Sequence, residues 1–384
     1  MKQALTVGAA LMLTTSMAHA GGIERAVPSM AFLFEDGNYL ELSFGYVSPN
    51  VSGTQQIAVP PMLEISPAGA SSGNVSESYS LTSFSYKNQV NDQMAIALII
   101  DQPYGADVNY AADTDYAYGG GLSPLFPTAN GSTASIDSIA YTALLSYKMP
   151  NNVTVYGGPR AVRTEGQVAL FNGYTMETSR ETDFGYVVGA GWERPDIAAR
   201  VSLTYHSAVT HDFRSEENGV ATSFSSTIPQ SLTLEGQTGI AADTLLFGSI
   251  RWVEWSEFDI TPPGFASGPG NPSLVDYEDD VITYNLGVGR RFSDEWSGAV
   301  TAGYEASNGG FAGNLGPTDG STSLGVAATY TMGDIRITGG VRHIWIGDAD
   351  TEAPVALVGA PGQTLGSFED NSAWALGLRV AYNF

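Results

Sequence analysis

The stretch SAWALGLRVAYNF, residues 372–384, decides the fold class. Its side chains alternate in type along the chain. Small or polar residues occupy one set of positions, and large apolar residues occupy the other: Trp374, Leu376, Leu378, Val380, Tyr382 and Phe384. Because successive side chains of a β-strand point to opposite faces, this period of two predicts a strand with one apolar face. Such a strand fits either a soluble sandwich or the wall of a membrane barrel.

The same alternation recurs along the chain, and the connections between alternating segments are short and long in turn. Strands are predicted at residues 39–49, 76–87, 94–104, 135–149, 153–168, 182–193, 199–209, 229–241, 244–258, 280–292, 296–305, 322–332, 335–347 and 372–384. Short turns such as 194–198 alternate with long connections such as 210–228. This pattern predicts an all-β fold, a 14-stranded antiparallel transmembrane β-barrel of the bacterial outer membrane, with both termini in the periplasm.

The two ends of the chain support the barrel over the sandwich. Phe384 as the last residue resembles the terminal aromatic signature of bacterial outer-membrane barrels, through which the barrel assembly machinery would bind the chain. Residues 1–20 carry a lysine at position 2, continue with an apolar core too short to span a bilayer, and end on the small-x-small pattern of Ala18–Ala20. They are predicted to be a signal peptide, as export to the outer membrane of a Gram-negative bacterium requires.

Charge and composition exclude several function classes. Sixteen Lys and Arg against 40 Asp and Glu give a net charge of −24, so the basic clusters needed for nucleic-acid binding are absent. Without cysteine there is no disulfide framework and no thiolate metal site. His206 is adjacent to Ser207, but neighbouring strand residues face opposite sides and cannot form a nucleophile–base pair. We therefore predict that the chain is not an enzyme and has no cofactor and no metal site.

Between the signal peptide and the first strand lies the segment GGIERAVPSMAFLFEDGN, residues 21–38. It does not alternate, yet it contains large apolar side chains that disordered segments lack: Met30, Phe32, Leu33 and Phe34. A 14-stranded barrel has a lumen too wide for its own wall side chains to fill. We therefore predict that residues 21–38 form a short plug inside the barrel of residues 39–384. Phe32 and Phe34 would lie against the lumen wall, where they are candidate ligand contacts.

Four segments resemble a known family: YHSAVTHDF at 205–213, IPQS at 228–231, RWVEWSEF at 251–258 and GPTDG at 316–320. With the terminal strand, they resemble the FadL/TodX family of outer-membrane transporters for long-chain fatty acids and other hydrophobic compounds. The resemblance implies capture on an apolar extracellular surface, binding in the upper barrel and a plug below. It also implies sideways release through a gap at a kink in the third strand. The plug predicted here is shorter than the family's.

Apolar runs in the long loops match the capture surface that the resemblance implies. The candidates are Val59, Met62, Leu63, Leu125 and Phe126. Exposed apolar clusters of this kind usually mark a binding surface. The alternative is that these residues pack on one another and cap the barrel.

The predicted third strand ends in Gln102, Pro103, Tyr104 and Gly105, which are the candidates for the lateral gate. Proline cannot donate to a strand ladder and glycine weakens one, so strand pairing should break at this point. The alternative is that the strand simply ends there and enters its loop.

Alternation places Arg200, Arg342 and His206 on the lumen face, with Arg163 as a further candidate. A buried arginine can bind a fatty-acid carboxylate through two hydrogen bonds. The alternative is that lumen arginines pair with acids of the chain itself, such as Asp183, Glu235 or Glu41.

The predicted ligand is hydrophobic, either a fatty acid or a hydrocarbon, and the other predicted partners are outer-membrane lipid and lipopolysaccharide. The chain is expected to act as a monomer. A general or substrate-selective diffusion porin for small polar solutes is the rival, because lumen faces rich in Gly, Ser, Ala and Thr suit both functions.

Overall fold

A computed structural model describes residues 22–27, 29–60, 62–63, 65–127, 131–268 and 272–384. The predicted signal peptide and Gly21 lie outside the described residues. Where the chain continues in one direction after a break, two segments are counted as one strand. The strands are β1 Tyr39–Asn50, β2 Tyr79–Gln89, β3 Met94–Asp101 with Gly105–Tyr110, β4 Ser132–Lys148, β5 Val153–Ala169, β6 Glu181–Arg194, β7 Ala199–His206 with Val209–Glu217, β8 Val220–Ile228 with Ser231–Ala241, β9 Thr244–Val253, β10 Val281–Arg291, β11 Trp296–Glu305, β12 Ser321–Met332, β13 Ile335–Ile346 and β14 Ser372–Asn383.

The strands form one closed antiparallel barrel in sequence order. Closure comes from β1 and β14, which pair along their whole length from Tyr39 with Asn383 to Asn50 with Ser372. A closed barrel leaves no edge strand with unpaired main-chain groups, which is the condition for a sheet to lie in a membrane. The all-β, 14-stranded antiparallel barrel predicted from the sequence is confirmed.

The predicted strand bounds differ most at β7 and β8. These strands continue as a hairpin of Val209–Glu217 with Val220–Ile228, in residues that were predicted to form a loop. The hairpin does alternate, but its exposed face carries polar side chains such as Asp212 and Arg214. The prediction was wrong there because it required an apolar exposed face.

The apolar faces of the strands point outward. In β14, Trp374 and Leu376 are each 55% exposed, whereas their neighbours Ala373 and Ala375 are buried inside. The inner face of the wall carries many small, hydroxyl-bearing and charged residues, together with apolar ones such as Ile99 and Leu144. Among the described residues, no helix is long and apolar enough to cross a bilayer.

At one end of the barrel, which we call the loop end, the long connections fold together. Gly53–Gln55, Phe311–Ala312, Ala349–Glu352 and Thr364–Phe368 form a separate small sheet. The Tyr110 ring lies 5.5 Å from the ring centroids of both Tyr116 and Tyr118. The other short elements are the strands Thr175–Thr178, Asp259–Ile260 and Val275–Asp276, the 3-10 helices Met30–Phe34, Pro195–Ile197 and Trp255–Glu257, and the α-helices Pro263–Ala266 and Val355–Val358.

The segment before β1 lies inside the barrel. Its 3-10 helix, Met30–Phe34, begins at Ser29, whose side chain accepts a hydrogen bond from Ala31 N. Met30, Phe32 and Leu33 are buried against inward-facing wall residues, which include Tyr39, Ala97, Ile99, Leu144 and Tyr156. Burial of these apolar side chains holds the segment in the lumen.

Candidate functional site

A cavity with an empty volume of about 770 Å³ lies inside the barrel near the loop end, and we call it the upper cavity. β4, β5, β7 and β8 contribute to its wall, and the lining is mostly apolar, including Ile136, Met176, Phe213, Phe224, Ile228 and Phe258. A mostly apolar lining with a few polar groups is typical of sites for small hydrophobic ligands.

Adjoining it, an open space of about 2940 Å³ reaches the loop end, and we call it the vestibule. Its walls carry aromatic side chains, including Tyr118, Phe126, Phe171, Tyr174, Trp255 and Phe265. Leu274, Val275, Tyr277 and Leu315 line both spaces. Burial raises the pKa of the Tyr277 phenol, which therefore stays uncharged in this shared wall.

The candidate capture residues fall into different environments. Met62 and Leu63 are 96% and 64% exposed, Leu125 is exposed, and Phe126 lines the vestibule. Val59 is fully buried in the core of the loops, so its assignment to an exposed surface was wrong. For Val59 the alternative interpretation holds, because the loops pack on one another around it.

The barrel wall is broken between β2 and β3. Their main-chain pairing ends at Phe84 with Ile100, and within the described strands residues 79–83 of β2 have no ladder partner on β3. One side-chain bond crosses the break, from Thr82 N to Gln102 Oε1 at 2.9 Å. The break falls at the candidate gate residues 102–105, since proline there has no N–H to donate.

Behind the break lies a cavity with an empty volume of about 870 Å³, which we call the gap cavity. On the lumen side its lining includes Val27, Phe32 and Arg379. On the other side it includes Gln102 and Phe44, which is 48% exposed on the outer face of the barrel. The gap cavity therefore extends from the plug to the outer face of the barrel.

Residues 23–26 cover the inner side of the break, and we call them the latch. Gly105 N donates to Ile23 O at 2.8 Å, and Arg25 N donates to Pro103 O at 2.7 Å, so the latch pairs with the kink like a short strand. The Glu24 carboxylate accepts two hydrogen bonds from Arg251, at 2.6 and 2.9 Å. Ile23 lines the upper cavity and Ala26 lines the gap cavity, so the latch lies between the two.

Below the latch, polar contacts hold the plug to the wall. Ser29 Oγ donates to Glu235 Oε1 at 2.6 Å. Arg200 donates to Ala31 O at 3.4 Å, and its guanidinium lies 5.1 Å from the ring centroid of Phe34. At the base, Arg336 forms a 2.8 Å ion pair with Glu35.

The predicted polar ligand contacts are not brought together. Arg200 contacts the plug, as given above. Arg163 lies on the outer face, because the inward set of β5 consists of positions such as Arg160, Val162 and Thr164, so its placement in the lumen was wrong. His206 is buried on the inner face, and Arg342 also faces inward from β13.

Sequence reasoning missed the arginines nearest the latch. Arg160 faces Asp101 across 3.7 Å, and Arg251 binds Glu24. In β5 the even-numbered positions, Arg160 among them, face the lumen, whereas the prediction put the odd-numbered Arg163 there. The sequence did not reveal this because Gly157, Gly158 and Pro159 interrupt the alternation. The alternative that lumen arginines pair with the chain's own acids is observed for Arg379, which lies 3.3 Å from Glu41.

The comparisons with known proteins agree with this architecture. The family model described as "Outer membrane protein transport protein (OMPP1/FadL/TodX)" matches residues 7–384. The chain belongs to this family. The resemblance inferred from the four sequence segments is thereby confirmed. No curated protein matches the chain.

Solved structures of the OMPP1/FadL/TodX family share the fold. A FadL homologue of Pseudomonas aeruginosa aligns with a TM-score of 0.72 and 16% identity over 92% of each chain. The toluene transporter TodX of Pseudomonas putida aligns with a TM-score of 0.62 and 12% identity, over 93% of this chain and 92% of the TodX chain. The toluene transporter TbuX of Ralstonia pickettii aligns with a TM-score of 0.58 and 12% identity, over 92% of this chain and 90% of the TbuX chain.

Membership of the OMPP1/FadL/TodX family gives the coarse function. The protein is an outer-membrane β-barrel of a Gram-negative bacterium, and it transports hydrophobic compounds. The family consists of transport channels, so the prediction that the chain is not an enzyme is confirmed. In the part of the chain that the structure describes, no group of three or more acidic or histidine side chains is arranged to hold a metal ion.

Proposed function

We propose that the protein takes hydrophobic small molecules, fatty acids or aromatic hydrocarbons, from the vestibule into the upper cavity and releases them sideways into the membrane. The loop end faces the outside and both chain ends face the periplasm. The break between β2 and β3 carries the proposal, because behind it lies a cavity that reaches from the plug to Phe44 on the lipid-facing side.

Sideways release suits an apolar ligand on physical grounds. A path straight down the lumen would meet the plug and then water, and wetting apolar surface costs about 25 cal/mol per Å². The break instead leads to lipid from the gap cavity, whose lining combines apolar side chains such as Phe32 and Ile99 with polar ones such as Ser83. TodX and TbuX, which share the fold, are toluene transporters, and toluene is an apolar ligand of this kind.

The experiment compares two classes of solute in liposomes that contain the purified protein and carry lipopolysaccharide in the outer leaflet, which slows the direct partition of apolar molecules. Labelled toluene or oleate should enter faster than into protein-free liposomes, and osmotic swelling in sugars should match the protein-free rate. The reverse pattern, fast sugar entry without hydrophobic uptake, would identify the rival diffusion porin and refute the proposal.

Filling the gap cavity should block the exit. Ser83 lines this cavity, whereas Ser80 is exposed on the outer face of the same strand. We expect Ser83→Trp to slow hydrophobic uptake by roughly fivefold or more, because an indole occupies the space that the ligand must cross. Ser80→Trp is the matched control and should leave uptake unchanged. Equal uptake by the two variants would argue against an exit at this break.

A further inference from the structure

The lining of the upper cavity is mostly apolar, and two of its buried polar side chains, Thr164 and His211, meet at one corner. His211 is 1% exposed and Thr164 is 6% exposed, and both line the cavity. Among the described lining residues there is no lysine or arginine. Glu165, the acidic residue of the lining, forms an ion pair with Arg180 at 2.7 Å. The chemistry of the corner therefore depends on a hydroxyl and an imidazole.

Asp183 fixes the protonation of that imidazole. Its Oδ2 lies 2.8 Å from His211 Nδ1, and because a carboxylate only accepts, Nδ1 carries the hydrogen. Burial among apolar side chains disfavours a charged ring, so Nε2 is left as an acceptor. Thr164 Oγ1 lies 3.2 Å from Nε2 and donates to it.

This chain of hydrogen bonds gives Thr164 a defined role. Its hydrogen is committed to His211, and its oxygen retains the capacity to accept a hydrogen bond. The bonds from Thr164 to His211 and from His211 to Asp183 polarise one another, which strengthens the oxygen as an acceptor. Two other hydroxyls of the lining donate to main-chain carbonyls: Ser226 to Asp259 and Thr178 to Gly166.

The arginines nearest the latch do not supply a cation for an anionic ligand. Each faces a carboxylate of the chain itself, and the pairs are Arg25–Asp107, Arg160–Asp101 and Arg251–Glu24. A ligand carboxylate in the upper cavity would be desolvated among apolar side chains without a positive partner. Such burial is strongly unfavourable.

We infer that the upper cavity selects uncharged hydrophobic molecules that carry one hydroxyl group, alcohols or phenols, whose O–H donates to Thr164 Oγ1. The inference rests on the proposed transport function and specifies its ligand. A hydrocarbon of the same length fills the cavity but leaves the Thr164 acceptor unused. A carboxylate presents lone pairs to that acceptor, so an ionised fatty acid binds more weakly than the alcohol of the same length.

Binding to the full-length mature protein in lipid nanodiscs tests the inference with three probes of equal chain length: decanol, decane and ionised decanoate. We expect decanol to bind most tightly and decanoate most weakly. Thr164→Val removes the acceptor at nearly constant volume and should weaken decanol binding roughly fivefold, the contribution of one hydrogen bond, without changing decane binding. Thr178→Val is the matched control, and any effect it has should be equal for decanol and decane.

Two results would overturn the inference. One is that decanoate binds at least as tightly as decanol, and the other is that Thr164→Val weakens the binding of decanol and of decane by the same factor. Uptake of the same probes into liposomes distinguishes a failure of the proposed selectivity from a failure of the proposed transport route. If uptake of all three is absent while the expected binding order holds, the transport route fails and the selectivity stands. If uptake proceeds with decanoate preferred, the selectivity fails and the transport route stands.

Discussion

A disulfide that joins the latch to the kink of β3 should stop hydrophobic uptake, and a reductant should restore it. Glu24 and Tyr104 are partners in an antiparallel bridge whose hydrogen bonds flank them on both sides. Partners of this type lie about 4.5 Å apart at Cα, within the range of about 4.4–6.8 Å that disulfides need. The protein has no cysteine of its own, so Glu24→Cys with Tyr104→Cys forms one defined crosslink.

The expected effect is large because the latch lies between the upper cavity and the gap cavity. If the latch must leave the kink for each ligand to pass, then a covalent lock should lower the initial uptake rate at least about tenfold. Uptake of labelled toluene into liposomes, measured before and after reduction, checks this. Unchanged uptake with the crosslink fully formed would show that ligand does not pass the latch.

A crosslink elsewhere in the wall separates latch motion from a general effect of oxidation. Thr329 and Thr338 are buried register partners on β12 and β13, with hydroxyl oxygens 2.8 Å apart. The variant Thr329→Cys with Thr338→Cys should show equal uptake in its oxidised and reduced forms. The single variants Glu24→Cys and Tyr104→Cys show what the loss of each side chain contributes by itself.

The barrel was predictable because each strand carries its own signal. An apolar outer face against a small or polar inner face fixes strand identity, and β14 shows this most clearly, with Trp374 outside and Ala375 inside. The prediction fails where the two faces of a strand carry side chains of similar size and polarity. In β5, the run Gly157–Pro159 removes the contrast, and Arg163 was consequently placed on the wrong face.

The pathway was less predictable because its parts meet only through the tertiary fold. The sequence segment 102–105 predicts a break in strand pairing, but it contains no sign that Ile23 and Arg25 pair with that break. Thr164, His211 and Asp183 lie on three different strands and come together only through the register of β5, β6 and β7. Long-range register of this kind cannot be derived from local alternation.

Removal of the Arg336 guanidinium should release the base of the plug. In the folded protein it is paired with Glu35, whose carboxylate is 4% exposed, and Lys87 also donates to the main-chain carbonyl of Glu35. Arg336→Met leaves that carboxylate buried without its cation, which costs about 3–5 kcal/mol. The barrel itself is held by its own ladder, so the cost should appear as an increase of roughly a hundredfold or more in the population with a displaced plug.

Single-channel recordings in planar bilayers measure this displacement as open events for small ions, which should be frequent in Arg336→Met and rare in the unmodified protein. Arg180→Met is the matched control, because the Arg180–Glu165 pair is exposed to solvent and exposed pairs contribute little. Adding Glu35→Gln to Arg336→Met removes the stranded charge, so the double variant should open less often than Arg336→Met alone. If Arg336→Met and the double variant open as rarely as the unmodified protein, then the Arg336–Glu35 pair does not hold the plug in place. The apolar contacts of Met30, Phe32 and Leu33 then suffice to close the lumen.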